Sequence, residues 1–356
     1  MRLFGASLLK NMLNFVYFSG LSTALKPVMQ GDGIIFMLHH ILPDAVQDES
    51  KFRPNGLLEV TPDFLEQVIL YLQANDYEII SLDEMQSRLE SGVAKPKKPY
   101  IIFTIDDGYL DNLEHAYPVF KKHNCPFTIY VATDLCDHKL FMWWRALDAV
   151  IRDNPSVEFD AFGIKINKPT GNVSEKYAAY NEIYWQLRDM GEVEKRQAVL
   201  ALAKKYKFDP IEETKLVAMS WVQLKQLEQD ELVTIGAHTI SHSAIAKLSD
   251  ADAKIEIEQS RAIIRDKTGI ECAHFCYPYG SAAEANLREF KLTEQAGYKT
   301  AVTTQKGMLY AGHKAHLHAL PRVSLNGDYQ HIRYVKTYLS GLPFMLWNRF
   351  RKIHKY

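Results

Sequence analysis

Short apolar runs, each long enough for one strand, alternate along this chain with amphipathic helical patterns, and that alternation restricts the fold more than any other feature. The runs are "IIFMLHH" (34–40), "YIIFTI" (100–105), "FTIYVAT" (127–133), "LVTIGAH" (232–238), "HFCYP" (274–278), "TAVTT" (300–304) and "HALPRVSL" (318–325). The intervening helices have legible ends. Thr61 is placed to cap a helix with Pro62 at its first position, and Ser249 and Gly269 to start and stop another. Strands alternating with amphipathic helices require a parallel sheet with helical crossovers. Residues 140–215 break the rhythm: they are charged, helical in pattern, and read as an insertion covering one mouth of the sheet.

Composition narrows the function classes. The 356 residues are 47% hydrophobic and carry 42 basic against 43 acidic side chains. That supports a sizeable core and lacks the basic excess of a nucleic-acid binder. Cys125, Cys136, Cys272 and Cys276 form no CxxC pair and read as buried free thiols, which fits a reducing compartment. No stretch reaches the ~20 apolar residues of a spanning helix. Both ends are nonetheless unusual. At the front, Leu3, Leu9, Leu13 and Val16 with Phe4, Leu8 and Phe15 form a broad apolar face whose only charges are Arg2, Lys10 and Lys26. At the back, Phe344, Met345, Leu346, Trp347 and Phe350 stand among Arg349, Arg351, Lys352 and Lys355. Such mixtures suit helices lying at a membrane surface. A cleaved signal peptide and simple docking against the body are the competing readings. The expected location is cytoplasmic or peripheral at the inner membrane, with export as the competitor. Oligomeric state is not legible.

The polar residues fall where such a sheet would use them. Asp106 and Asp107 end one strand; His238 ends another, with His242 four residues on. His39 and His40 close the first strand, Pro278, Tyr279 and Gly280 follow "HFC", and His318 and Arg322 lie in the last run. Parallel α/β sheets build sites at the carboxyl ends of their strands. Two His at i and i+4 share one face of a helical turn and can reach one divalent ion, which a carboxylate completes while leaving positions for water and substrate. A second carboxylate beside the ion can take the proton of its activated water. Adjacent aspartates then divide the labour, one as ligand and one as base. Taken singly, HxxxH is a surface pattern, DDG a turn, a lone His a satisfied core residue and Tyr279 packing. Their joint placement at strand ends argues for a site.

"FTIDDGY", "HTISH" and "YPYG", in that order, resemble the signature motifs of the polysaccharide deacetylases, the carbohydrate esterase family 4 or nodulation-deacetylase homology group. "GIIFMLHHI" and "WVQLKQLEQDELVTIGAHTISH" are similar to a branch linked to surface-polysaccharide or lipid-linked sugar metabolism. The resemblance implies an α/β fold, a distorted, incomplete (β/α) barrel over 33–139 and 216–326. Around it stand an amphipathic N-terminal segment (1–32), a helical insertion (140–215) and a basic amphipathic tail (327–356). It implies Asp106 as general base and Asp107, His238 and His242 as ligands of a divalent metal, usually zinc. The backbone N–H near Tyr279 would hold the oxyanion in a loop shaped by Pro278 and Gly280, with His39 and His40 toward the substrate. A histidine of the last motif would be the general acid, and His318 lies nearer the strand than His316. The implied reaction removes an N-acetyl group from an amino sugar in a polysaccharide, oligosaccharide or lipid-linked sugar. Two departures stand out. Tyr277 takes the place of the arginine that orients the base, a role expected of Arg322, and "GYKTAVTT" lacks the tryptophan-containing fourth motif. An O-acetyl esterase and a non-catalytic glycan-binding protein on the same scaffold are the alternatives.

Overall fold

The computed structural model describes residues 2–44, 51–92 and 96–354. The side chains of Arg2, Leu3 and Phe4, and all of Lys355, lie outside the described residues. Eight strands form the central sheet: β1 (Gly33–Leu38), β2 (Glu78–Ile79), β3 (Tyr100–Ile105), β4 (Phe127–Val131), β5 (Val233–Ala237), β6 (His274–Cys276), β7 (Thr300–Val302) and β8 (Val323–Ser324). Seven run in the order β7-β6-β5-β4-β3-β1-β8, and β2 pairs with the start of β3. Every pair is parallel. A parallel bridge from Val302 to Leu320 brings the far edge back toward the segment that leads into β8. The sheet therefore curls into an incomplete (β/α) barrel.

The central strands are buried along their whole length, as expected where helices cover one face and the barrel interior the other. Alternate residues sort into two cores. Ile34, Phe36 and Leu38 with Ile101, Phe103 and Ile105 pack under the helices, whereas Ile35, Ile102, Tyr130, Val302 and Leu320 fill the barrel. The parity of β3 that sends Ile102 and Thr104 inward continues to Asp106.

Local signals explain the helices around the sheet. Thr61 Oγ1 accepts the Phe64 N–H at 3.1 Å, with Pro62 in the first turn. Ser249 caps the helix Asp250–Thr268, and Gly269, at φ 88°, ends it. At the front of the chain, α1 (Arg2–Phe18) and α2 (Leu21–Met29) pack against two helices that close it, α3 (Ile332–Leu339) and α4 (Leu342–Trp347).

Two expectations change. The run at 318–325 yields only the two residues of β8, because Pro321 has no N–H to give a ladder and Arg322 N–H goes to Gln305 O at 3.0 Å. The segment 140–215 is not wholly helical. Ser156–Ala161 and Ile164–Pro169 pair antiparallel, burying Val157, Phe159, Ile164 and Ile166 in alternation with exposed residues. Phe162 and Gly163 turn the hairpin at φ 55° and 74°, the left-handed pair that a two-residue connection needs. The period-two signal in "SVEFDAFGIKINKP" was masked by its charges. This segment has its own core around Trp143, Leu147, Phe159, Tyr180 and Val199, and that core takes in Tyr109, Ala132 and Leu135 from the segments that follow β3 and β4. It is seated on the carboxyl ends of the strands.

Gly236 shows how tightly the barrel is filled: a Cβ there would stand 2.4 Å from the Tyr130 ring and 3.0 Å from His274 O. Gly236→Ala is expected to cost ~1–3 kcal/mol through overpacking, read as a lowered denaturant midpoint with an unchanged m-value.

Candidate active site

β3 ends at Ile105, and Asp107 and Gly108 then both take left-handed backbone, at φ 76° and 75°. Asp tolerates that region and glycine is made for it. A Cβ at Gly108 would also stand 2.9 Å from Val131 Cγ1. The abrupt turn separates two neighbouring carboxylates that are both buried.

Asp106 meets Arg322. The guanidinium donates from Nη1 to Asp106 Oδ1 and from Nη2 to Oδ2, each at 2.7 Å. Its other donors reach Thr303 O at 3.0 Å, Thr104 Oγ1 at 3.1 Å and Cys276 Sγ at 3.0 Å. Burial alone would raise the Asp106 pKa, but the Arg322 charge and its two hydrogen bonds hold the carboxyl below its ordinary value. Burial likewise opposes the charge of Arg322, and Asp106 outweighs it, so the guanidinium stays charged.

Asp107 meets two imidazoles. Its Oδ1 lies 3.1 Å from His242 Nε2 and 3.5 Å from His238 Nε2. His238 Nδ1–H donates to Cys276 O at 2.8 Å, which leaves Nε2 as the ring nitrogen turned toward Asp107. Asp107 Oδ1 is buried with no hydrogen-bond partner among the described residues. Burial opposes its charge, yet the histidines hold its carboxyl well below the usual range. The three ligand atoms lie within 4.8 Å of one another. Donors at ~2.0–2.1 Å around a tetrahedral ion stand roughly 3.3 Å apart, and the two contacts to Asp107 straddle that figure. The residues fit a divalent cation.

The HxxxH spacing works differently from the helical turn expected. Residues 238–242 form a loop in which Thr239 and His242 have φ 67° and 53°. Glu256, on the helix Asp250–Thr268, holds that loop by accepting the N–H groups of Ile240 and Ser241 at 2.8 and 3.0 Å. Arg196 caps Ser241 O from the inserted segment.

Other expected residues divide. His39 Nε2 lies 3.9 Å from Asp106 Oδ2, and burial lowers its pKa against the pull of both aspartates. His40 turns instead to Asp111, with Nδ1 at 2.6 Å from Oδ2, and stacks on Tyr109. It supports the loop and takes no place beside the carboxylates. Tyr279 follows Pro278 at φ 63°, its ring 5.1 Å from that of His242 and its hydroxyl accepting Trp143 Nε1–H at 2.9 Å. Gly280 O accepts Thr304 N–H at 2.8 Å, which fixes the loop. His318 is misplaced for an acid: its Nε2 faces Tyr298 O at 2.7 Å, beside the amino-terminal end of β7, opposite the carboxylates. Proximity to a strand in sequence did not tell which end of the strand it would reach. Tyr277 points to Thr293 and to His318 O. The residue of that motif facing Asp106 is Cys276, with Sγ 3.6 Å from Oδ2.

Sequence reasoning missed Glu256, Arg196, Asp111 and the aromatic wall from the insertion, where Trp144 lies 4.9 Å from the His242 ring. Nothing in their local spacing marks them, since each acts across the fold.

A family model described as polysaccharide deacetylase matches residues 93–301. Over 101 residues the chain is 29% identical to the Bacillus subtilis (strain 168) protein YxkH, named as a polysaccharide deacetylase; the match takes in 28% of this chain and 36% of that one. The chain thus spans about a third of that relative's length. The structure of the Streptococcus pyogenes deacetylase PplD in complex with acetate aligns over 86% of this chain and 97% of its own, with TM-score 0.54 and 17% identity. The structure of IcaB from Ammonifex degensii aligns over 87% and 97%, with TM-score 0.54 and 15% identity. These likenesses speak for the fold, the curled parallel barrel with surrounding helices.

Arg322→Met would strand a buried carboxylate, at a cost of ~3–5 kcal/mol at neutral pH. Because the folded pKa of Asp106 is lowered, its pairing contributes fully above the unfolded value of ~3.9 and is lost as pH falls through the folded value. The penalty of the substitution should therefore shrink as pH is lowered through the carboxylate range. Urea midpoints at several pH values check this; a pH-independent penalty would show that charge is not the cause.

Proposed function

The chain belongs to the polysaccharide deacetylase family, and on that premise we propose that it removes the N-acetyl group from an amino sugar in a polysaccharide, an oligosaccharide or a lipid-linked sugar. The family and fold imply a hydrolase acting on carbon–nitrogen bonds. The observation that carries the residue-level reading is the buried Asp107 Oδ1, without a hydrogen-bond partner among the described residues and set between two imidazole Nε2 atoms, next to a carboxylate already committed to Arg322.

In this reading Asp107, His238 and His242 hold a divalent cation, zinc by the chemistry of a two-His, one-carboxylate set. Such a cation, when bound, makes water acidic near neutral pH and polarises the acetyl carbonyl. The chain's own groups then have separate tasks. Asp106 is ionised and a weak base, matched to a water made acidic and unable to act on an ordinary one. Arg322 fixes both its oxygens, and Oδ2, the oxygen that His39 approaches, takes the proton. His39, 3.9 Å from that oxygen, is placed to pass the proton to the departing nitrogen, and its lowered pKa favours release. The backbone N–H at Tyr279 is assigned to the developing oxyanion. Trp144 and Tyr279, against the His242 ring, exclude bulk water from one side.

The test combines metal analysis with turnover on paired N-acetyl and O-acetyl sugars, followed by mass spectrometry. Asp106→Asn should retain the metal and lose ~10²–10⁴-fold in kcat, whereas His238→Ala should lose metal and activity together. His39→Gln should keep the metal and lose ~10²-fold or more. Undiminished turnover in Asp106→Asn would remove the proposed base, and preference for the O-acetyl sugar would make the protein an esterase.

A further inference from the structure

The two ends of the chain, far apart in sequence, are packed together. α1 packs against α2 and α3, and α2 against α4. Arg333 Nε–H donates to Asn14 Oδ1 at 3.1 Å, and Gly341, which opens α4, lies close against Met29 O. On α1, Leu9, Leu13 and Val16 turn to the core. One position earlier at each step, Leu8, Met12 and Phe15 face outward, and Phe18 and Leu21 continue the exposed line. Phe15 and Phe18 are 66% and 73% exposed. Val28 on α2, and Leu346, Trp347 and Phe350 at the end of α4, are exposed as well.

Charge is segregated in the same way. Residues 1–31 and 329–356 contain nine Lys and Arg and no Asp or Glu, so the rest of the chain, with 33 basic and 43 acidic residues, is net −10. Between α1, α2 and α3 lies a cleft of about 480 Å³ lined by Tyr17, Phe18, Ser22, Thr23, Lys26 and Lys336, together with Tyr71 and Tyr77. It contains two lysines, several hydroxyls and no carboxylate. No described helix is long and apolar enough to cross a membrane.

We propose that this joined face of α1, α2 and α4 docks the protein on an anionic phospholipid bilayer, with the exposed aromatic side chains in the interface and the Lys26–Lys336 cleft over a lipid headgroup. A second protein would need complementary acidic and apolar surface in one patch; an anionic bilayer supplies both over any area. The acidic remainder is repelled by the same surface, so only this face can approach. The inference stands apart from the proposed hydrolysis, since none of these side chains touches Asp106, Asp107 or their partners.

Co-sedimentation of the full chain with phosphatidylcholine vesicles, with and without a third of phosphatidylglycerol, tests it. Binding should require phosphatidylglycerol and weaken as salt is raised. Lys26→Glu with Lys336→Glu, and separately Arg349→Glu with Arg351→Glu, should each lower partitioning by roughly fivefold or more per charge. Phe15→Ser with Phe18→Ser should lower it by about tenfold or more. All three variants should keep the wild-type melting temperature within a few degrees and wild-type turnover of a soluble substrate. Equal binding to both vesicle types, or variants that bind as the wild type does, would overturn the proposal. So would a dimer in light scattering that the same substitutions dissociate, because it would give the face to a second copy.

Discussion

Arg322 is the interaction on which the rest of the site depends. An arginine inside a barrel is costly unless every donor finds a partner, and this one has five: Thr303 O, Thr104 Oγ1, Cys276 Sγ and both oxygens of Asp106. Those partners come from β3, from β6 and from the end of β7. The guanidinium therefore ties together strands that the incomplete sheet joins weakly, since β8 is only two residues long. It also settles the division between the aspartates. With Asp106 ion-paired and oriented by Arg322, Asp107 is the second buried carboxylate, and the geometry sends it to the two histidines.

The same pairing explains why adjacent carboxylates coexist in a buried place. Two like charges side by side would push one pKa up. Here both are held down, by Arg322 in one case and by imidazoles in the other. The left-handed turn at Asp107 and Gly108 makes that possible by pointing neighbouring side chains at different partners. Backbone strain at Asp107 is thus part of the electrostatics.

Much of this was legible. The parallel sheet followed from apolar runs at strand length separated by capped helices, and its curling into a barrel from the family resemblance; seven expected strands have counterparts, with ends moved by a few residues. What failed did so for identifiable reasons. His318 was near a strand but at its wrong end, because linear distance from a strand carries no direction until the partner strand is known. His40 was one residue too far from the inward parity of β1 and went to Asp111. Tyr277 holds the arginine's place in the motif, but parity turns Cys276, not Tyr277, toward Asp106. HxxxH suggested a helical turn, and positive φ at Thr239 and His242 brought the rings together by another route. Glu256 and Arg196 could not be read at all, for they hold the histidine loop through backbone groups across the fold.

Residues 140–215 cannot be treated as a detachable cover. Tyr279 is a non-glycine residue at φ 63°, a conformation that needs outside support. That support comes largely from 140–215: Trp143 donates to its hydroxyl, and Arg188 lies 3.7 Å over its ring, with the buried Lys195–Glu192 pair behind. Trp144 at the same time packs on His242. The segment therefore holds in place both the loop assigned to the oxyanion and one of the imidazoles assigned to the metal. Its separate hydrophobic core, continuous with Tyr109 from the turn after the two aspartates, gives it the rigidity to do so. The barrel supplies the strand ends, and the insertion makes their side chains converge.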